Sequence, residues 1–371
     1  MTDPLLFTPG PLTTSPTVRA AMTRDVGSRD AGFTAVVRTI RAALVDIAAP
    51  GRHAGYAAVL LPGSGTYAIE AAIGTCVPKA GRLLIACNGA YGERMRVIAE
   101  RLHVPHVVLR VPEHLPVEPG DLRAALDENA GLTHVALVHC ETTTGLLNPL
   151  AALAEVTRER GLVLIADAMS SFGALPIDMP ALGVDFLVAS SNKCIEGVPG
   201  LSFVIAQRAH LLACRGRARS VSLDLVAQLE ALDADGQFRF TPPTHVVLAF
   251  EQALAELREE GGVAERGARY ARNQRLLVAE MRALGFDTYL PAELQGPIIT
   301  TFTSPAAPGF DFEQFYQRLC ERGFIIYPGK LTAAPTFRIG SIGQLFEPDM
   351  TALVENVDEV LREMDVELQR A

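Results

Sequence analysis

Apolar residues cluster in seven short runs before residue 210, and beyond it they are spread at helical spacing. The runs are residues 57–61, 82–87, 106–111, 133–139, 161–167, 184–190 and 201–207. Strands that are apolar throughout belong to a largely parallel sheet covered on both faces, because only there are both sides of the strand dry. Helical patterns separate most of them, as in "GSGTYAIEAAIGT", "YGERMRVIAERL" and residues 150–160. The last three runs lie too close together for a helix in each gap, which predicts one antiparallel strand among them. Residues 245–284 read as long helices with dense Glu/Arg patterning. After Gly285 the pattern changes: "PIITTFT" at 297–303, a helix in "DFEQFYQRLCERG", then "FIIYPG", "TFRIGSIG" and a final helix from about Asp349. The expected fold class is α/β: an N-terminal arm (1–15), a large domain with a mostly parallel seven-stranded sheet between helices (16–255), and a smaller C-terminal α+β domain (256–371).

Composition narrows the field. The 371 residues are 49% hydrophobic, as in an ordinary globular protein, and carry a formal charge of -9, which argues against nucleic acid as a partner. Six scattered cysteines form no CxxC pair and fit reduced thiols better than disulfides or zinc. The eight histidines form no metal-ligand pattern, so no metal is expected. Neither a signal peptide nor an apolar run of spanning length is evident, so the expected location is the cytoplasm.

Three short motifs sit where apolar runs end, and open α/β sheets place ligands there. In "PGSGT", glycines open a helix and Ser64 and Thr66 add hydroxyls, so backbone N–H groups can meet a phosphate. Taken alone, the motif is equally a glycine turn. Asp167, closing "VLIAD", reads by itself as a helix cap, a metal ligand or the partner of a protonated ring nitrogen. Lys193 follows 26 residues later in "ASSNKCIEG". The chain holds only three lysines among 33 basic residues. A lysine can be a solvated surface charge, but unlike arginine it can lose its proton near neutral pH and form an imine. A phosphate cradle, an acid at one strand tip and a lysine at the next are together the parts that a pyridoxal phosphate enzyme needs.

The segments "LLFTPGPLTTSPTVRAAM", "GSGTYAIEAAIGT", "NGAYGERM", "HCETTTGLLNPL", "DAMSSFGALPID", "SNKCIEGVPG", "FTPPTHVVLAF", "GFIIYPGKLT" and "FRIGSIG" follow in order over nearly the whole chain. In these segments the sequence resembles the class V branch of the fold-type I aminotransferases. The resemblance implies pyridoxal 5'-phosphate as cofactor, seated on Lys193 as a Schiff base with Asp167 on its pyridine nitrogen. It implies Ser64, Gly65 and Thr66 around the phosphate, with Asn192 as a polar neighbour. Tyr91 is expected to stack on the ring and Thr142 to stand near the ring oxygen. Thr241 is expected to reach the phosphate of the partner subunit, which implies a homodimer with shared sites. Arg338 is expected to bind the acid group of the substrate, since its planar fork matches a carboxylate or phosphonate.

One stretch departs from the family pattern. "GSRDAGF" has Arg29 and Asp30 where many members carry an aromatic and several acids. Arg29 reads either as a contact to a phosphonate dianion at the entrance or as a surface arginine paired with Asp30. The activity implied is amino transfer from 2-aminoethylphosphonate to pyruvate, a step in phosphonate catabolism on small-molecule substrates. The rivals are alanine– or serine–glyoxylate amino transfer, ammonia elimination from a hydroxylated aminoethylphosphonate, and a non-catalytic cofactor-binding regulator. The presence of both Lys193 and Asp167 argues against the last.

Overall fold

The computed structural model describes residues 3–329 and 334–369. All seven apolar runs form strands of one sheet: β1 (Tyr56–Pro62), β2 (Leu83–Cys87), β3 (His106–Arg110), β4 (His134–Val138), β5 (Val163–Asp167), β6 (Phe186–Ser190) and β7 (Leu201–Gln207). Their order across the sheet is β1-β7-β6-β5-β4-β2-β3. Every pair is parallel except the two made by β7, which runs antiparallel to both β1 and β6. The segment from Ser191 to Gly200 explains the exception. With no helix in it, it can only turn the chain back beside β6, and a parallel neighbour would need a crossover.

Helices α1 (Ala31–Ala48), α2 (Gly65–Cys76), α3 (Ala90–Arg101) and α4 (Leu150–Glu159) cover the sheet. Strands β2, β4 and β6 are buried along their whole length, as an apolar strand between two helix layers must be. Their side chains join the apolar faces of the helices in one core that reaches Leu254 and Leu257 of α5 (Thr244–Glu259). The long helix α6 (Gly262–Ala283) follows after Gly261, whose φ of 109° suits a residue without Cβ.

From Leu277 onward a second core takes over. It surrounds a three-stranded antiparallel sheet of β8 (Ile299–Thr303), β9 (Tyr327–Pro328) and β10 (Thr336–Gly340), in the order β8-β10-β9. Helices α7 (Phe312–Glu321) and α8 (Glu347–Glu363) pack on it, and Phe286, Phe302, Phe315 and Phe337 interlock at its centre. The start of the chain joins this core. Leu5–Leu6 pairs in parallel with Phe324–Ile325, and Phe7 is fully buried there. From that anchor residues 8–11 run back to the end of β6, where the site lies.

Candidate active site

Strands β4, β5 and β6 are neighbours, and their carboxyl ends open on the same side of the sheet. There one pocket is lined by Ser64, Gly65, Thr66, Tyr91, Thr142, Asp167, Asn192 and Lys193, eight of the residues expected from the sequence. Gly10, Ile69, Arg94, Met95, Met169, Ser170 and Ser190 complete its wall.

Asp167 is the last residue of β5 and is 4% exposed. One carboxylate oxygen, Oδ1, accepts the Met169 N–H at 2.9 Å, and no described residue donates to Oδ2. Burial pushes its pKa up to about 7, a rise that the Met169 bond and the positive charges of Arg94 and Lys193 only partly oppose. Such a group is primed for a cationic N–H donor, which would bring it back to the ionised form.

Lys193 stands three residues beyond β6, half-buried, with Nζ donating to the carbonyls of Pro9 (2.6 Å) and Gly10 (3.2 Å). A Cβ at Gly10 would lie 2.4 Å from the Asn192 carbonyl oxygen and 2.7 Å from Lys193 Cδ, and the residue's φ is 105°. Only glycine lets the N-terminal segment pass this close to the lysine.

Ser64 is the N-cap of α2 but makes no side-chain cap, so its hydroxyl is left for a ligand. The N–H groups of the first helical turn have no partner within the helix and carry its positive dipole end. Gly65 is pressed against Met169, whose Sδ would lie 2.3 Å from an added Cβ. Arg94 donates to Thr66 Oγ1 at 3.0 Å and places its guanidinium carbon 4.8 Å from the Tyr91 ring centre, so it adds a cation to the same corner. The Thr142 hydroxyl bonds Ser170 Oγ at 2.7 Å. Buried Glu141 accepts the Tyr91 N–H and the Thr143 hydroxyl, fixing the start of α3 against the "ETTTG" turn.

Arg338 reaches the site from β10. It is 2% exposed, and donates from Nη1 to the Thr142 carbonyl (3.0 Å) and from Nε to that of Pro328 (3.1 Å). No described residue accepts from its Nη2. It backs the pocket wall at Thr142 without itself lining the pocket. Thr241 and Arg29 are exposed and lie outside the lining of this pocket. Asp30, the neighbour of Arg29, accepts the Gly27 N–H at the start of α1 and forms no ion pair with Arg29 among the described residues.

Arg94, Met169, Ser170, Ser190 and Gly10 are site residues that the sequence reading left unassigned. Arg94 was the most accessible of these: it follows Tyr91 by three positions at the start of a helix, so both share one face. No cluster of His, Cys, Asp or Glu able to hold a metal ion occurs among the described residues. Taken together, the groups can bind a phosphate at a helix end, neutralise a cationic ring nitrogen and offer a primary amine to a carbonyl carbon between the two.

Comparison with known proteins agrees with this arrangement. Residues 17–346 match the family model described as aminotransferase class-V. A protein of Syntrophobacter fumaroxidans named 2-aminoethylphosphonate–pyruvate transaminase is 53% identical over 95% of this chain and 94% of its own. One of the same name from Aeromonas hydrophila is 54% identical over 92% and 91%. Among solved structures, alanine–glyoxylate aminotransferase from Nostoc superposes with a TM-score of 0.90 at 27% identity, over 98% of this chain and 96% of that one.

Proposed function

The chain belongs to the class-V aminotransferases, and on that premise we propose that it moves the amino group of 2-aminoethylphosphonate onto pyruvate, giving phosphonoacetaldehyde and L-alanine, with pyridoxal 5'-phosphate as cofactor. The observation that carries the reading is the convergence of Lys193, Asp167 and the α2 N-terminus on one pocket, in a chain about half identical to relatives of that name. The pocket suits the cofactor. Asp167 Oδ2 is free of described partners, Gly65 lets the start of α2 pack against Met169 in the pocket wall, and Lys193 Nζ is an exchangeable amine within the lining.

The residues that would hold the cofactor are Ser64, Gly65, Thr66 and Asn192 at the phosphate, Tyr91 at the ring face, Thr142 near the ring oxygen and Asp167 at the ring nitrogen. When bound, pyridoxal phosphate supplies an aldehyde carbon that exchanges amines and a ring that accepts the electron pair left by a breaking C–H bond. Asp167 keeps the ring nitrogen positive, and that charge in turn favours its own carboxylate form. Lys193 first seats the cofactor. Its Nζ then takes the proton from the amine-bearing carbon of the donor and, in the second half-reaction, delivers one to carbon 2 of pyruvate. Arg338 binds the acid group with its uncommitted edge. It serves both half-reactions because the phosphonate donor and the carboxylate acceptor each carry an anion at similar reach.

In this reading the enzyme works as a homodimer with shared sites, in which exposed Thr241 reaches the phosphate in the partner's pocket and exposed Arg29 stands either near an active-site entrance or as a surface charge. All six cysteines are free thiols, in keeping with a reducing cytoplasm, and no described helix is long and apolar enough to cross a membrane.

The test is a half-reaction followed in the visible spectrum of the purified holoenzyme. 2-Aminoethylphosphonate alone should bleach the band of lysine-bound cofactor and pyruvate should restore it, while L-serine leaves it intact. Lys193→Arg, which keeps the charge but cannot form an imine, should show neither the band nor the reaction. Bleaching by L-serine but not by the aminophosphonate would transfer the protein to the glyoxylate-type reading. Release of ammonia without amino transfer would make it a lyase.

A further inference from the structure

Three residues beyond Lys193, Glu196 is 1% exposed and adopts a φ of 65°, a left-handed conformation rare for a residue with a side chain. Its backbone N–H bonds the Lys193 carbonyl at 2.8 Å, so the two residues share one tight turn. Its side chain is the meeting point of two parts of the molecule. Oε1 accepts the Tyr270 hydroxyl and Arg269 Nη2 (2.7 Å), with Arg266 Nη1 at 3.5 Å, all three on one face of α6. Oε2 accepts Gln344 Nε2 at 2.7 Å, from the loop that follows β10, the strand of Arg338.

The surrounding bonds tighten the same junction. Arg266 Nη1 and the Tyr270 hydroxyl also donate to the Cys194 carbonyl, so α6 grips the backbone immediately after Lys193. Arg269 Nη1 donates to the carbonyls of Gly343 (2.6 Å) and Leu345 (3.1 Å), so the same helix holds the loop after Arg338. Glu260 completes the charge balance by accepting from both arginines. Gly267, next to Arg266 along the helix, has room only for a hydrogen: an added Cβ would lie 2.1 Å from the Ala174 carbonyl oxygen, in the loop that follows Asp167.

We propose that Glu196 is a positioning residue that sets Lys193 relative to Arg338, by joining the turn after the lysine to the loop after the arginine strand through Arg266, Arg269, Tyr270 and Gln344. The inference rests on the reading of Lys193 and Arg338 given above. Proton transfer at Lys193 Nζ needs the donor carbon within reach while Arg338 holds the far end of the same molecule, and a misplacement of about 1 Å can cost about 10²-fold in rate. A carboxylate between two buried arginines makes the junction stiff, because either partner alone would be an unpaired buried charge.

The test uses Glu196→Gln and, because the first variant removes a buried charge, Gln344→Leu at a half-buried position. Hydrogen exchange of the cofactor-free proteins is the first readout. In Gln344→Leu, exchange should rise at least about tenfold in residues 193–197 as well as in 341–345. A rise confined to 341–345 would overturn the coupling. The second readout is the half-reaction of the holoenzyme with 2-aminoethylphosphonate. Glu196→Gln should keep the band of lysine-bound cofactor yet transfer the amino group about 10²-fold more slowly, and Gln344→Leu should raise KM for donor and acceptor together. Wild-type rates in both variants would sink the proposal. A wild-type enzyme inert toward the aminophosphonate would instead sink the substrate reading, and the exchange experiment would still decide the coupling.

Discussion

Burial at the carboxyl end of β5 pushes Asp167 up to about 7, against only one backbone hydrogen bond and two nearby cations. The native cofactor-free protein therefore binds this proton more tightly than the unfolded chain does. Stability contributed at this site is greatest at low pH and is lost as pH rises from near the ordinary value of 3.8 through about 7. Asp167→Asn removes that dependence. Urea unfolding of both apoproteins should show the variant gaining on wild type by a few kcal/mol, at most about 4, between about pH 4 and about pH 8. A gain that does not change with pH would mean that the carboxylate is already stabilised in the empty site. The same substitution should slow amino transfer about 10³-fold, since the ring nitrogen loses the partner that keeps it protonated.

Elements set the reach of these side chains. The segment from Ser191 to Gly200 lacks a helix, so its shortness forces β7 to run antiparallel and leaves Lys193 at an open turn rather than under a crossover. That was legible in the sequence from the spacing of apolar runs alone. The role of residues 8–11 was not, because nothing local says that a chain start anchored in the second core returns to touch β6. Gly10 carries that approach. Gly10→Ala must place a methyl group against the Asn192 carbonyl and strain a backbone at φ 105°. It should cost about 2 kcal/mol or more in unfolding free energy and weaken the hold of the N-terminal segment on Lys193, seen as faster hydrogen exchange at 192–194. Unchanged exchange there would show that the segment is not what steadies the lysine.

At the scale of the molecule, α6 places Leu277 and Met281 in the second core and Tyr270 in a third, small cluster, and the proposed site joins Lys193 and Asp167, at the ends of large-sheet strands, to Arg338 on the small sheet. The proposed completion of each site by a second subunit turns on Thr241, which is exposed and lies outside the lining of its own pocket. Mixing Lys193→Ala with Thr241→Glu, each expected to be inactive as a homodimer, tests it. A hybrid dimer would hold one site with both native residues, so random exchange should restore about a quarter of wild-type activity. No recovery from a mixture that demonstrably exchanges subunits would place Thr241 outside the partner's site.

Strand identity, helix spacing and the types of side chain at strand ends were determined by the sequence itself, since each depends on a period or a residue type within a few positions. Local signals also singled out Ser64, Asp167 and Lys193 as strand-end candidates, although only their combination and the family resemblance gave them roles, and the structure brings the three into one pocket. The order of the strands, the arrival of Gly10 and Arg94 in the pocket, and the burial that shifts Asp167 were decided only by the tertiary structure. They depend on contacts between residues tens to hundreds of positions apart, whose free energy appears only when the cores close. The junction at Glu196 belongs with these: in sequence it is one acid in a turn, and only the packing of α6 and of the loop after β10 surrounds it with two arginines, a tyrosine and a glutamine.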